Sequence, residues 1–336
     1  MNPKKILIDT DNTLGQQFRW NDDGLAILYT IGKNEFDLVG ITTTFGNSSG
    51  KNVYKNTKKL LDAIGKDELP LIRGADEAGD LNTEASSFLA EKAASEPGSL
   101  ILLALGPLTN LQGAYEQDPN FFNNLKEIIL MGGITKERLE VGRIKMKDVN
   151  LRADLDAALT VLTADCPVTV INCHVCKQVP FQEDHMDKIQ FWPEGIIEEI
   201  EQEFWINEKV QKIDEIFIWD VLVPVYLAHP EFFEENKIKI SASAKNDIKD
   251  GRLREVREDG VQINMPEKIV NKKSLYEDMF STWETLHESI MKEKGSYNDF
   301  GHSAVSQAIF KAFFTLLIPL ALRLMYKKRE NYFYEE

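Results

Sequence analysis

Lys5-Ile6-Leu7-Ile8-Asp9-Thr10-Asp11-Asn12-Thr13 decides the reading of this chain: an apolar run empties directly into acids and hydroxyls, and Asn21-Asp22-Asp23 follows shortly after. A short, continuous apolar run reads as a strand buried on both faces of an α/β sheet. Ligand sites in such sheets gather beyond the carboxyl ends of the strands. Four carboxylates at one such edge, Asp9, Asp11, Asp22 and Asp23, repel one another unless a cation or shared protons relieve them. The pattern therefore points to a bound metal.

Outward from that stretch, strands and helices alternate as a parallel sheet requires. Strands are expected over Lys4–Asp9, Leu38–Thr43, Ser99–Leu105, Glu127–Met131 and Val168–Asn172, and covering helices over Asp22–Gly32, Val53–Ile64, Glu84–Ala94, Leu108–Gln117 and Leu155–Ala164. Asp22 and Asp23 then start a helix, where the macrodipole favours negative charge. Residues 180–212, rich in glutamate and aromatics, read as mostly helical and as a mobile wall near the site.

The 336 residues, 43% hydrophobic, suffice for one large α/β core. A net charge of −15 argues against a DNA or RNA partner, whose affinity comes largely from neutralised phosphates. Three cysteines and the absence of an apolar secretory start suggest a reduced cytoplasm. Cys173-His174-Val175-Cys176 has the spacing of half a zinc site, but no second pair follows at usable spacing, so a buried or strand-end position is expected. The apolar run Ala312–Leu322, broken by Pro319, is too short to span a bilayer. It reads as a packed helix, with a membrane-surface anchor as the alternative.

Two families share the opening motif. Asp9-Thr10-Asp11-Asn12-Thr13 resembles the first motif of haloacid-dehalogenase-like phosphatases, which would make Asp9 a nucleophile and Asp11 a general acid. No Gly-Asp-x-x-x-Asp element follows, and Asp22-Asp23 comes too early for the late acidic pair, so this is a remote alternative. The second resemblance covers residues 4 to 290. Asp9-Thr10-Asp11 with Asp22-Asp23-Gly24 is similar to the amino-terminal aspartate cluster of the nucleoside hydrolases. Gly40-Ile41-Thr42-Thr43-Thr44-Phe45-Gly46-Asn47, Leu105-Gly106-Pro107-Leu108-Thr109-Asn110, Ile129-Leu130-Met131-Gly132-Gly133, Asp148-Val149-Asn150 and Trp219-Asp220 follow in that family's order.

That resemblance implies an α/β fold of one domain, 1–295, with a mostly parallel central sheet and helices on both faces, open and Rossmann-like. Residues 296–336 would form a helical extension packed on it. It implies hydrolysis of a ribonucleoside to ribose and free base. A Ca2+ ion would be held by Asp11, Asp23, the main-chain carbonyl of Thr109 and Asp220. Asp11 would also be the general base, Asp22, Asn47, Asp148 and Asn150 would bind the sugar, and Asp9 would orient the cluster. The expected partner is a small-molecule nucleoside, with no nucleic acid polymer and no membrane, in a homodimer or homotetramer. Each residue also has a plain structural alternative: Thr109 and Asn110 suit a helix cap, Gly132-Gly133 a turn, and Trp219 core packing.

The departures from the family pattern bear on specificity. Many members place a histidine before the last metal aspartate; here Trp219 stands there, as in the purine-specific branch, where a stacked aromatic eases departure of the base. Trp20, Phe45, Trp192, Trp205 and Phe217 are candidates for a second stacking ring. The family's Glu-x-Asn is Asp148-Val149-Asn150, one methylene shorter. Arg143 stands where an asparagine is common and would suit a 5′-phosphate or another anion. The insertion Asn12–Asn21 carries Arg19 and Trp20, either as a lid or as a surface loop. These departures leave a ribose- or nucleotide-binding homologue without turnover as the rival reading.

Overall fold

Lys4–Thr10 forms the strand β1, and its apolar residues are buried on both sides. Ile6 and Ile8 pack with Leu25, Leu28 and Trp283 in one core, while Leu7 packs with Leu89 and Leu111 in the other. Side chains alternate across a strand, so an uninterrupted apolar run is what a sheet covered on both faces demands. The structure is a computed structural model that describes residues 2–16, 19–136 and 138–298. The expected extension from 299 onward, with Ala312–Leu322, lies outside the described residues.

The other strands are β2 (Phe36–Thr43), β3 (Leu71–Arg73), β4 (Leu100–Ala104), β5 (Leu125–Met131), β6 (Leu139–Val141), β7 (Ile144–Met146), β8 (Val168–Ile171), β9 (Phe181–Gln182), β10 (Glu215–Ile216), β11 (Lys237–Ile240) and β12 (Val261–Asn264). Eight of them form the main sheet in the order β11-β12-β8-β5-β4-β1-β2-β3. Every neighbouring pair in it is parallel except β11 with β12. The chain runs outward from β1 through β2 to β3, then returns to β4 on the other side of β1. That reversal opens a crevice at the carboxyl ends of β1 and β4, the standard ligand position in open α/β sheets.

All five expected strands are present, and the fold is a single α/β domain with helices around the sheet. The helices α1 (Asp22–Gly32), α2 (Gly50–Ile64), α3 (Glu84–Ser95) and α4 (Thr109–Gln117) lie where the apolar spacing puts them. Sequence reasoning missed β3, β11 and β12 in the sheet. Lys237-Ile-Lys-Ile240 alternates exposed and buried residues, as befits an antiparallel edge strand with one wet face, rather than the apolar runs that mark the central strands. Among the described residues no helix is long and apolar enough to cross a membrane.

Candidate active site

The site is built from loops that leave the carboxyl ends of β1, β2, β4 and β5. Asp11, just past β1, is 1% exposed, and Asp22 and Asp23 occupy the first turn of α1, 4% and 0% exposed. Ligand oxygens of Asp22, Asp23 and Asp220 all lie within 4.8 Å of one another. Asp220 precedes the helix Leu222–Ala228, and its main-chain N–H donates to Asp22 Oδ2 at 3.2 Å. Asn47 binds two acids: its main-chain N–H donates to Asp11 Oδ2 at 2.6 Å and its Nδ2 to Asp23 Oδ2 at 3.2 Å. Thr10 Oγ1 donates to Asp23 Oδ1. Among the described residues, one buried oxygen of Asp11 and one of Asp220, Oδ1 in each, have no hydrogen-bond partner.

Burial pushes all four carboxyls up, and like charge adds to it at Asp11, Asp23 and Asp220. Asp23 is raised to about 7 and Asp22 to about 6, while Asp11 and Asp220 are held well above the ordinary carboxylate range by burial and then by the charge of Asp23. At neutral pH such a cluster needs a cation or protons. The loops close on it because two positions lack a side chain. At Gly46 (φ +145°) a Cβ would sit 2.1 Å from Asp11 Oδ2, and at Gly106 it would sit 3.0 Å from Asp11 Oδ1.

Asp9 and Asn110 form a brace beneath the cluster. Asp9 Oδ1 accepts from Thr42 Oγ1 at 2.6 Å and from Asn110 Nδ2 at 2.8 Å, and burial raises its carboxyl to about 7. Asn110 also donates to the Thr43 carbonyl and accepts from the Ala75 N–H, so it ties β1, β2 and α4 together. Neither Thr109 nor Asn110 caps α4: Leu108 is the cap residue, and Thr109 Oγ1 donates to Asp154 Oδ2 at 2.7 Å.

Above the acids lies a narrow cleft, partly open to solvent, whose lining includes Asp22, Asn47, Asp148, Asn150, Trp219 and Asp220. Asn150 Nδ2 donates to the carbonyls of Leu105 and Met131, which fixes it across the ends of β4 and β5. Both Asp148 oxygens are taken by main-chain donors, Gly133 N–H and Leu151 N–H, each at 2.7 Å, and burial raises this carboxyl to about 6. Trp219 borders the cleft and is backed by Phe217, with ring centres 4.9 Å apart. Of the five candidates for a second aromatic, Trp20 alone among the described residues borders the cleft.

Three expectations change. Arg143 does not enter the cleft; it is exposed in the turn of the β6–β7 hairpin, and Lys147, which sequence reasoning missed, lines the cleft instead. Residues 180–212 are largely helical as expected, but none of those described lines the cleft. Instead the helix Glu194–Ile206 holds the insertion in place. Gly15 N–H donates to Glu199, and Asn21 Nδ2 donates to the Glu199 carbonyl and to Glu203 Oε2. The insertion is therefore held at Gly15 and Asn21, beside the first turn of α1 and with Leu14 fully buried, and these residues do not lie loose on the surface. Cys173 and Cys176 are free and buried, as expected, at the two ends of the short helix Cys173–Cys176 that follows β8.

The chain belongs to the inosine-uridine preferring nucleoside hydrolase family, whose model matches residues 6–277. It is 26% identical over 277 residues to a probable uridine nucleosidase 1 of Oryza sativa, covering 69% of this chain and 79% of that one. Its fold is shared by a purine-preferring ribonucleoside hydrolase from Gardnerella vaginalis, with a TM-score of 0.72 at 18% identity over 85% of this chain and 100% of the other. A plant nucleoside hydrolase gives a TM-score of 0.71 at 21% identity, covering 84% of this chain and 99% of that one.

Proposed function

We propose that this protein hydrolyses the N-glycosidic bond of ribonucleosides, using a calcium ion held by Asp11, Asp23, Asp220 and the main-chain carbonyl of Thr109. The observation that carries this reading is the convergence of buried carboxylates at the β1–β4 crevice, with one oxygen each of Asp11 and Asp220 left unpartnered. The donors are all hard oxygens, as calcium prefers. Bound there, the ion would grip the ribose 2′- and 3′-hydroxyls and acidify a water molecule.

The chain's own groups do the rest. Asp11, oriented by the Asn47 N–H, accepts the proton of the attacking water at Oδ1. Asp22, Asn47 and Asn150 hold the sugar hydroxyls, and the surrounding carboxylates favour the positive, oxocarbenium-like ring of the transition state. Asp148 keeps the Gly132–Gly133 turn and the Asn150 helix together through its two main-chain bonds. Among the described residues no histidine lines the cleft, so departure of the base rests on its aromatic surroundings, Trp219 and Trp20. Stacking on such rings is worth about 1–3 kcal/mol per base.

A purine preference is supported by Trp219 and by the Gardnerella neighbour's stated preference; the rice relative's name favours uridine. Base release from inosine, guanosine, adenosine, uridine and cytidine in calcium tests this. Purines should be released faster, and Trp219→Ala should lower kcat/KM for purines by roughly 10- to 100-fold. Faster uridine release would move the preference to pyrimidines, and no release from any of them would leave a ribose-binding homologue.

A further inference from the structure

We propose that Lys147 makes this cleft a site for a ribosyl substrate carrying a 5′-phosphate, a nucleoside 5′-monophosphate. The inference rests on the hydrolase reading for the placement of the ribose. With the diol against the carboxylate cluster and the base beside Trp20 and Trp219, the 5′ end of the sugar is left for the wall formed by residues 146–150. What that wall offers is unusual for a neutral hydroxymethyl group. Its carboxylate, Asp148, already accepts from the Gly133 and Leu151 N–H groups, one on each oxygen, and so serves to hold the backbone of this wall. Its other charged group is the ammonium of Lys147.

Lys147 is half-buried, follows β7 directly, and lines the cleft between Met146 and Asp148. Among the described residues it forms no ion pair and no side-chain hydrogen bond, although the chain offers 54 acids against 39 lysines and arginines. A phosphate at the 5′ end would supply Lys147 with both a counter-charge and the hydrogen-bond acceptors. Arg143, in the turn of the same hairpin, is exposed and does not line the cleft. The net charge of −15 repels a free anion at long range, so any preference for phosphate must come from a short-range contact such as this one.

The chemistry is unchanged by the phosphate. The bond between C1′ and the base nitrogen breaks, a bond from C1′ to the water oxygen forms, the water's proton passes to Asp11 and then to the departing base, and ribose 5-phosphate is released.

Calorimetric titration of the full chain in calcium with ribose 5-phosphate and with ribose tests the contact without requiring turnover. Ribose 5-phosphate should bind roughly 10-fold tighter, Lys147→Met should erase the difference while leaving ribose affinity within about 2-fold, and Lys147→Arg should retain most of it. In parallel, kcat/KM for inosine 5′-monophosphate should exceed that for inosine in the wild type and fall selectively in Lys147→Met. Equal or weaker binding of the phosphate, or equal losses for both sugars in Lys147→Met, overturns the proposal. Selective binding of ribose 5-phosphate with no hydrolysis of any nucleoside or monophosphate would overturn the hydrolase reading and leave the phosphate contact standing.

Discussion

Asp11→Ala is expected to lower base release by at least about 1,000-fold without unfolding the protein. Removal of a general base costs about 100- to 10,000-fold in rate, and here the same carboxylate is also assigned to the metal. The fold tolerates the change because Asp11 is a liability to the metal-free state. Its carboxyl is buried, sits beside Asp23, and is displaced upward by both. Losing it removes that repulsion at the cost of one acceptor for the Asn47 N–H, about 1 kcal/mol. Asp11→Asn retains an acceptor at that position and should be equally inactive. The check is kcat alongside a melting curve in chelator: lost activity with an unchanged or raised Tm supports the role, and more than about a tenth of the activity remaining refutes it.

The second large effect is a pH-dependent stabilisation by calcium. In the metal-free protein burial raises the carboxyls of Asp22 and Asp23 to about 6 and about 7 and holds those of Asp11 and Asp220 well above the ordinary range, with like charge adding to it at Asp11, Asp23 and Asp220. A carboxyl whose pKa is raised on folding keeps its proton longer in the native than in the unfolded chain. Its contribution is therefore fully present below the unfolded value of about 4 and is lost as pH rises through the folded value. Metal-free protein should thus lose stability steadily from about pH 4 to about pH 7 and beyond. Calcium competes with those protons, so its benefit grows over the same window. At a hundredfold excess over Kd the linkage is about 2.7 kcal/mol. The increase in Tm on adding calcium should be on the order of 5 °C at pH 8 and close to zero at pH 5. A calcium effect equal at both pH values would mean that the ion binds elsewhere than the aspartate cluster.

Much of this arrangement was legible in the chain because it is written locally. The passage from Ile8 into Asp9 and Asp11 marks a buried strand and its functional end, and the turn into Asp22-Asp23 marks the start of α1; both lie where the periodicity puts them. The aspartates meet Asp220 through the sheet's topology, and the order of the motifs along the chain, rather than any single one, gave that away. What escaped is contact between distant segments. Nothing near Gly15 or Asn21 announces that Glu199 and Glu203 will hold them, and nothing in the glutamate-rich helix distinguishes those two buried acids from its solvated ones. Asn110 looked like a cap because asparagine favours that place, yet its amide bridges Asp9, Thr43 and Ala75. Arg143 and Lys147 are four positions apart on either side of β7, and only the two-residue turn at Gly142-Arg143 decides which enters the cleft.

If the converging aspartates hold a cation needed for breaking the glycosidic bond, base release must follow the free metal concentration. That dependence is tested most directly by the initial rate of base release from inosine as free calcium is varied with a chelating buffer. The account predicts no release in excess chelator, a saturable one-site rise as calcium is restored, and full recovery on re-addition; a rate that persists undiminished after the metal is removed would contradict it.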